Sequence, residues 1–283
     1  MEPYGITSPL VKTQSGRRVE FRGRRGNLLV GDFYAAADGK PLLVLCHGME
    51  SSRGGTKQQA IIERFVPKGY GVLNFDFAYV GESQGEFEDL TISGEVDDCL
   101  AALDFAATLQ QVACILVGSS LGGAVALLSA ARSKHSPTAV ATIAALTRAG
   151  LFTEGLDAEE IKDWRDSGRR PWRQGYLKVG FLEDVERLDI LAEAASAAGP
   201  LLAMHGDADT VVPVEHAHAL SRVWAGPVRL EIFAGVGHRF EEPGALARLI
   251  DTLDDWLEGL GGSGGLFGLG DGGGSGGGGG GLG

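Results

Sequence analysis

The sequence predicts an α/β fold in which a mostly parallel central sheet is flanked by helices. Short, continuous apolar runs of strand length recur from residue 42 onward, and segments with helical periodicity separate them. Strands that are buried on both faces of a parallel sheet have this continuous pattern, whereas strands with one solvated face alternate. Of the 283 residues, 44% are hydrophobic and 22% are charged, a composition that suffices for a sizeable core. The alternation of strand and helix also predicts right-handed crossovers.

The individual elements follow from these runs in chain order. An antiparallel strand pair is expected at residues 19–21 and 28–34, joined by a turn rich in glycine and arginine. Continuous apolar runs then predict six further strands, at residues 42–46, 71–77, 113–117, 139–145, 200–204 and 228–233. Helical periodicity predicts helices at residues 56–66, 93–107, 121–132, 214–223 and 245–258.

One segment interrupts this alternation, at about residues 147–199. It carries Trp164, Trp172, Tyr176 and Phe181 among many charged residues and contains no clear buried strand. We therefore expect a mostly helical, small cap insertion that lies over the carboxyl ends of the strands. The four aromatic side chains are expected either to line an apolar pocket or to anchor the cap to the sheet.

The end of the chain differs in composition from the rest. Of the 45 glycines, 16 lie between residues 261 and 283, among isolated Leu, Phe, Ser and Asp residues. Such a segment buries too little apolar surface to offset the entropy that it loses on ordering. The sequence thus predicts one domain, residues 1–258, followed by a disordered glycine-rich tail, residues 259–283.

Charge and apolar patterning narrow the kinds of partner. The 25 Lys and Arg residues against 37 Asp and Glu residues give a net charge of −12, which argues against a nucleic-acid groove. No apolar run approaches the roughly 18 residues of a membrane span, and the start of the chain lacks the pattern of a signal peptide. We expect a cytoplasmic protein with neither a nucleic-acid partner nor a membrane span. The oligomeric state is unknown from the sequence.

Metal binding is not predicted. The three cysteines lack the paired spacing of a zinc or redox motif. His216 and His218 follow two aspartates and belong to metal-ligand residue types, but they are two residues apart on a predicted helix. They therefore point to different sides of that helix. A glycine-rich phosphate loop of the nucleotide-binding type is also missing from the sequence.

The strongest local signal is a Gly-x-Ser-x-Gly pattern, Gly118-Ser119-Ser120-Leu121-Gly122, which follows one predicted strand and opens the next helix. A serine at such a tight strand-to-helix turn adopts a strained backbone conformation that small neighbours make possible, and its hydroxyl stands clear of the sheet. Ser120 is therefore the candidate nucleophile, and Ser119 is only its small neighbour. The competing interpretation is a glycine-rich turn without chemistry.

A base and an orienting acid follow in the expected order. One buried run ends in His205-Gly206-Asp207-Ala208-Asp209, and the last buried run leads to a loop that contains His238. Each lies beyond the carboxyl end of a strand, so Ser120, Asp209 and His238 are expected to form a nucleophile, acid and base. Asp207 competes with Asp209 for the role of the acid. We favour Asp209, because Asp207 is placed to tie the turn through backbone hydrogen bonds.

The chemistry also needs backbone donors where a carbonyl oxygen becomes negative. The N–H of Leu121 is one candidate, because it follows the nucleophile at a helix N-terminus. The second is expected in the loop after the first parallel strand, where Gly48 lets the backbone turn and Met49 presents its N–H. We interpret His47 as a scaffold residue rather than a second base, because it precedes this turn.

These motifs resemble the α/β-hydrolase superfamily and, within it, small serine esterases similar to cinnamoyl and feruloyl esterases and to serine aminopeptidase-like hydrolases. The resemblance covers about residues 20–258, and it is carried by His47-Gly48, residues 74–77 with 81–83, residues 118–123, residues 205–213 and Gly237-His238. It implies the α/β-hydrolase fold, a catalytic triad and an oxyanion hole at the residues named above. The sequence departs from many relatives at Ala78-Tyr79-Val80.

The predicted activity is that of a serine esterase, which hydrolyses a small-molecule carboxylic ester through an acyl-enzyme on Ser120. This chemistry needs no cofactor. A thioesterase or an aminopeptidase uses the same three residues, since only the pocket separates these activities. A non-catalytic binding protein of this fold is less favoured, because such a protein ought to have lost at least one of the three.

Overall fold

A large sheet organises the residues that the computed structural model describes, which are residues 16–109, 113–173 and 175–261. The strands are β1 (Arg17–Arg22), β2 (Leu28–Tyr34), β3 (Leu42–Cys46), β4 (Gly71–Asp76), β5 (Cys114–Ser119), β6 (Ala139–Ile143), β7 (Arg169–Trp172), β8 (Gly175–Lys178), β9 (Leu201–Gly206) and β10 (Val228–Phe233). Eight of them form one sheet in the order β1-β2-β4-β3-β5-β6-β9-β10, and β7 pairs with β8 in a separate hairpin.

The sheet is antiparallel at one edge and parallel elsewhere. β1 pairs antiparallel with β2, and β2 pairs antiparallel with β4. From β4 to β10 every neighbouring pair is parallel. In β3, β4, β5, β6 and β9 every residue is buried, which is the reason for their continuous apolar runs. The predicted α/β fold with a mostly parallel sheet is confirmed.

Helices cover both faces of the sheet and enclose two hydrophobic cores. They are α1 (Thr56–Phe65), α2 (Ile92–Thr108), α3 (Leu121–Arg132), α4 (Ala158–Ser167), α5 (Val179–Arg187), α6 (Ile190–Ala194), α7 (Glu215–Val223) and α8 (Ala245–Gly261). Side chains of α1 and α8 pack into one core, and those of α2, α3, α6 and α7 pack into the other. Within the described ranges, no helix is both long and apolar enough to cross a membrane.

The segment at residues 147–199 is less uniform than a mostly helical cap. It contains a 3₁₀ turn at Ala149–Phe152, then α4, the β7–β8 hairpin, α5 and α6. The sequence analysis did not predict the hairpin, because its strands are largely exposed and carry no continuous apolar run. The short helix α6 packs beside the sheet against α3, where Glu193 accepts a hydrogen bond from Arg132 at 2.7 Å. For the elements before α6, namely the 3₁₀ turn, α4, the β7–β8 hairpin and α5, a position in a cap over the strand ends stays a prediction.

The last helix extends past the predicted end of the domain at residue 258. α8 continues to Gly261, and Leu260 packs against the core that α1 and α8 share. The first three residues of the predicted disordered tail are thus helical. Residues 262–283 lie outside the described residues.

Candidate active site

Ser120 lies at the sharp turn between β5 and α3, near the middle of the sheet. Its backbone has φ 57° and ψ −119°, a left-handed combination that is strained for a residue with a side chain. The Ser120 N–H donates to the carbonyl of Ile143 at 2.9 Å, and the Ser120 carbonyl accepts from Leu146 at 3.2 Å. Both partners lie at or just beyond the end of the neighbouring strand β6. This strand therefore holds the turn and the serine in place.

Close backbone contacts make glycine necessary around this turn. A Cβ on Gly122 would lie 2.3 Å from the carbonyl oxygens of Cys46 and His47. A Cβ on Gly118 would lie 2.2 Å from the carbonyl oxygen of Gly122. These distances are far below van der Waals contact, so a side chain at either position would force the turn open. The glycines of the Gly-x-Ser-x-Gly pattern thus let α3 start directly against the end of β3.

Loops after the adjacent strands β9 and β10 bring the predicted acid and base together. The loop after β9 packs tightly on the loop after β10: Ala208 N–H donates to the carbonyl of Val236 at 3.1 Å. A Cβ on Gly206 would lie 2.0 Å from that same carbonyl oxygen, so only glycine fits there. This contact sets Asp209 beside His238.

A continuous line of hydrogen bonds joins Ser120, His238 and Asp209. The Ser120 Oγ lies 2.9 Å from His238 Nε2, and His238 Nδ1 lies 2.7 Å from Asp209 Oδ2. Since a carboxylate only accepts, His238 Nδ1 carries the proton and Nε2 faces the serine as the acceptor. Asp207 is elsewhere: its Oδ1 accepts from the N–H of Gly235 at 2.6 Å. The structure thus places Asp209, and not Asp207, against the imidazole.

The Asp209 carboxylate is buried but well supplied with donors. Its Oδ1 accepts from the N–H groups of Val211 and Val212, both at 2.8 Å. Its Oδ2 also lies 3.3 Å from Nε2 of the buried His205, which donates to the carbonyl of Val212 at 2.8 Å. Burial alone raises the pKa of Asp209, but hydrogen bonds from His205, His238 and Val212 outweigh it and hold the pKa well below its ordinary value. The carboxylate is therefore ionised at neutral pH.

The loop after β3 lies next to Ser120 and contains His47 and Gly48. His47 is buried and uses both ring nitrogens: Nδ1 lies 2.9 Å from the carbonyl of Gly48, and Nε2 accepts from the N–H of Phe77 at 3.2 Å. Burial lowers the pKa of His47, although the hydrogen bond to Gly48 opposes this effect. His47 is thus neutral and fixed in the scaffold, and it has no nitrogen left for a substrate.

Two backbone amides of the predicted oxyanion hole lie at the pocket. Met49 and Leu121 both line it next to Ser120. Among the described residues, neither amide hydrogen has a hydrogen-bond partner. Gly48 lets the two segments approach, since a Cβ on it would lie only 3.2 Å from the Ser120 Cβ. Unsatisfied donors in this position suit an oxygen that becomes negative during a reaction.

Ser120 and His238 open into a cavity of about 1120 Å³. Its apolar wall lies between the end of β6 and the β7–β8 hairpin, and it is formed by Leu146, Leu151, Phe152, Trp172, Val211 and Val212. The sequence analysis missed Leu151 and Phe152, although they directly follow the start of the predicted cap. An apolar pair within a segment otherwise rich in charge was the available signal.

Three of the four aromatic residues of the predicted cap take one of the two roles that we considered. Trp172 lines the cavity, and its Nε1 donates to Glu50 at 3.0 Å. Trp164 and Phe181 are buried in the core, where Trp164 Nε1 donates to the carbonyl of Leu177 at 3.0 Å. Tyr176 is exposed, with the Arg169 guanidinium 4.4 Å above its ring. Only Trp172 is therefore a candidate to contact a substrate.

The described part of the chain contains no group of three or more His, Cys, Asp or Glu side chains placed to hold a metal ion. His216, one of the residues weighed for such a role, is buried, and its Nδ1 accepts from the N–H of Thr147 at 2.9 Å. This bond links α7 to the start of the predicted cap. His216 therefore has a structural position, in which its ring holds the backbone of Thr147.

Comparisons with known proteins agree with this architecture. The family model described as serine aminopeptidase, S33, matches residues 37–167, a range that includes Ser120 and ends before Asp209 and His238. The chain is 28% identical over 238 residues to the mitochondrial palmitoyl-protein thioesterase ABHD10 of Mus musculus, covering 80% of this chain and 79% of that protein. It is 27% identical over 274 residues to the monoacylglycerol lipase of Mycolicibacterium smegmatis, covering 84% and 95%.

Among solved structures, Est1E from Butyrivibrio proteoclasticus with bound ferulic acid superposes with a TM-score of 0.75. The sequence identity is 22%, and the match covers 85% of this chain and 98% of that one. This likeness concerns the fold. Together with the strand order, the family model and the relatives above, it shows that the chain has the α/β-hydrolase fold.

Proposed function

We propose that this protein is a serine hydrolase that cleaves carboxylic esters through an acyl-enzyme on Ser120. The observation that carries the proposal is the hydrogen-bonded line from Ser120 Oγ through His238 to Asp209, beside a cavity with an apolar wall. A strained serine at a strand-to-helix turn adds to it, next to two backbone amides that have no partner in the part of the chain that the structure describes. Together these groups supply a nucleophile, a base, an acid and an oxyanion hole.

The geometry supports the following sequence of steps. His238 Nε2 takes the proton of Ser120 while Oγ attacks the acyl carbon, and the N–H groups of Met49 and Leu121 donate to the oxyanion. Asp209 stabilises the imidazolium that forms. His238 then returns the proton to the leaving alcohol, and the C–O bond to that alcohol breaks. Water attacks the acyl-enzyme by the same route and releases the acid.

The relatives support this class of reaction. The names of the relatives above describe a lipase and a thioesterase, both of which cleave acyl esters or thioesters. An acyl thioester is the second candidate substrate, because the thioesterase relative matches 80% of this chain. An amide, which the description of the family model would suggest, is a third. The apolar wall of the cavity suits an acyl chain in each case.

The test is turnover by purified protein with Ser120→Ala and Ser119→Ala as a matched pair. A panel of p-nitrophenyl esters, methyl cinnamate, acyl-CoA thioesters and aminoacyl anilides identifies the reaction. Ser120→Ala should lower kcat by roughly four orders of magnitude or more at an unchanged melting temperature, since it removes the nucleophile. Ser119→Ala should retain activity. Fluorophosphonate labelling that persists in Ser120→Ala and disappears in Ser119→Ala would contradict the assignment.

We also propose a small-molecule ester as the partner and the cytoplasm as the location. The second point rests on the sequence, and the name of the ABHD10 relative indicates mitochondria. Fractionation of cells that express a tagged chain distinguishes the two.

A further inference from the structure

Lys57 is the pocket cation whose charge is not paired. It lies in the first turn of α1, partly buried, on the wall of the cavity that contains Ser120. In the described residues, no carboxylate lies within 4 Å of its Nζ, and no side chain accepts a hydrogen bond from it. A lysine that lines an enclosed pocket usually has a partner, because removing its ammonium group from water is costly.

The two arginines of the cavity wall form ion pairs. Arg173 lies 2.8 Å from Glu50, and Arg239 lies 2.9 Å from Glu241. Glu242 accepts from the N–H of Gly237 at 3.0 Å through Oε1, and its Oε2 is buried without a partner among the described residues. Lys57 is therefore the cation of this wall that an anionic ligand can still neutralise.

The surroundings of Lys57 disfavour its charged form, so an anion bound beside it would stabilise the ammonium group. Burial lowers the pKa of Lys57, and the charge of Arg239 lowers it further, while Glu241 and Asp209 act in the opposite direction. Its Nζ lies 5.8 Å from the centre of the Phe240 ring. The N-cap of α1, Gly55, provides no side-chain acceptor for the first turn, so the helix also presents free N–H groups on this side.

The position of Lys57 indicates that its positive charge faces the leaving group of the substrate. His238 must reach the leaving oxygen to return its proton, so the leaving group lies on the His238 side of Ser120. Arg239 and Phe240 directly follow His238 in the chain, and Lys57 faces both. The apolar residues Phe152 and Trp172, in contrast, belong to the predicted cap: their ring centres lie 6.0 Å apart, and Trp172 Nε1 donates to Glu50 in the loop after β3. The wall of the cavity that contains Ser120 thus has apolar and cationic residues with different neighbours.

We propose that Lys57 binds a carboxylate or phosphate carried by the leaving group of the ester, so that the substrates are acyl esters of anionic alcohols or thiols. This inference rests on the proposed esterase function of Ser120 and adds the chemical class of its leaving group. The acyl part occupies the apolar wall, and the anion pairs with Lys57 at the N-terminus of α1.

A matched pair of esters measures the effect of this charge directly. The probes are the butyryl ester of 4-hydroxybenzoate, which carries a carboxylate on its leaving group, and its neutral methyl ester. A third probe, 4-(butyryloxy)phenyl phosphate, carries a phosphate at the same place and shows which anion is preferred. The wild-type protein should favour an anionic probe over the methyl ester by about tenfold in kcat/KM, mainly through a lower KM. Higher salt should reduce this ratio by screening.

Three variants assign the preference to the side chain. Lys57→Gln should reduce the ratio to about one, and Lys57→Arg should retain most of it because the positive charge remains. Lys40→Gln is the control: it removes the same charge from an exposed lysine above another aromatic ring, Tyr70, and should leave the ratio unchanged.

The outcomes separate this inference from the proposed function. Wild-type turnover of the neutral methyl ester, with its loss in Ser120→Ala, decides whether the protein is an esterase. The ratio decides the role of Lys57. A wild-type ratio of one or less would overturn the inference without any variant, and so would a ratio that Lys57→Gln leaves unchanged.

Discussion

Both carboxylate oxygens of Asp209 accept hydrogen bonds, and they do so from different parts of the site. Its Oδ1 holds its own loop through two backbone N–H groups, while its Oδ2 faces the imidazole of His238 and lies near His205. The carboxylate is buried and still ionised, because these donors replace the water that it lost. One side chain therefore stabilises a loop and orients the imidazole of His238. Asp207, two residues earlier, only ties the loop after β10.

The two aspartates give the first prediction at this scale. In Asp209→Asn, the amide oxygen can still accept from Val211 and Val212, but the amide nitrogen then faces His238 and favours the wrong imidazole tautomer. We expect ester turnover to fall roughly 10³- to 10⁴-fold at a nearly unchanged melting temperature. Asp207→Asn, the matched control, should stay within a few-fold of the wild type. The reverse order of activities would move the acid to Asp207.

At the scale of elements, α7 and the start of the predicted cap are joined by His216. Its Nδ1 accepts from the N–H of Thr147, and its Nε2 is buried without a partner among the described residues. Burial, with a smaller effect of Arg148, lowers the pKa of His216 from 6.5 to about 4. The folded protein thus keeps this ring neutral, and protonation would break the bond that holds Thr147.

The lowered pKa of His216 predicts how stability depends on pH. Between about pH 6.5 and pH 4 the unfolded chain binds a proton on His216 that the folded protein does not, so stability is complete above this window and declines as the pH falls through it. The loss amounts to at most about 3 kcal/mol. We expect the melting temperature of the wild type to fall more steeply from pH 7 to pH 4.5 than that of His216→Asn, whose amide oxygen can replace Nδ1. Parallel curves would contradict this.

Cap aromatics give a second prediction at the element scale. Trp172→Ala removes part of the apolar pocket wall and should change the ratio of kcat/KM between hexanoyl and acetyl esters. Trp164→Ala removes a buried ring and should destabilise the fold by about 3–5 kcal/mol without changing this ratio. If Trp164→Ala does not fold, Phe181→Leu tests the same point more mildly. A ratio that responds to the buried positions and not to Trp172 would contradict the assignment.

At the scale of the whole molecule, the strand order determines which loops meet. β5 lies next to β3 and β6, whereas β9 and β10 are two and three strands away from it. The loop that carries His238 therefore crosses the ends of β6 and β9 to reach Ser120. Parallel strands make this possible, since all of their carboxyl ends lie at the same edge of the sheet.

The C-terminal end of the fold gives a prediction for the whole chain. Arg64 and Lys68, at and just after the end of α1, pair with Asp254 of α8 at 2.9 and 2.6 Å, and Leu260 packs on the core beneath. Ending the chain after residue 261 should leave the melting temperature and ester turnover unchanged, because the glycine-rich remainder has little apolar surface to bury. Ending it after residue 258 also removes Leu260 and should cost about 1 kcal/mol. A loss of stability in the chain that ends after residue 261 would show that Leu266 or Phe267 docks on the domain.

Local sequence predicted the strands of the large sheet and the candidate site residues. The apolar patterns predicted β2, β3 and β10 to the residue. Burial on both faces explains the continuous run of β3, whereas β10 is mostly half-buried or exposed. The Gly-x-Ser-x-Gly turn indicated Ser120, because close backbone contacts there tolerate only glycine. The choice of Asp209 over Asp207 also followed from position in a turn. For these features the physical cause lies within a few residues of the pattern.

Tertiary structure alone decided the pocket and its charge. Trp172 and Trp164 have similar local surroundings in the sequence, yet one lines the cavity and the other is buried, because the exposed β7–β8 hairpin folds over the loop that contains Glu50. The charge of Lys57 lies 5.8 Å from the Phe240 ring, which belongs to a segment far from it in the sequence. Such features arise from which distant segments pack together. Periodicity and motif spacing record the environment of each element, but they do not record its partners.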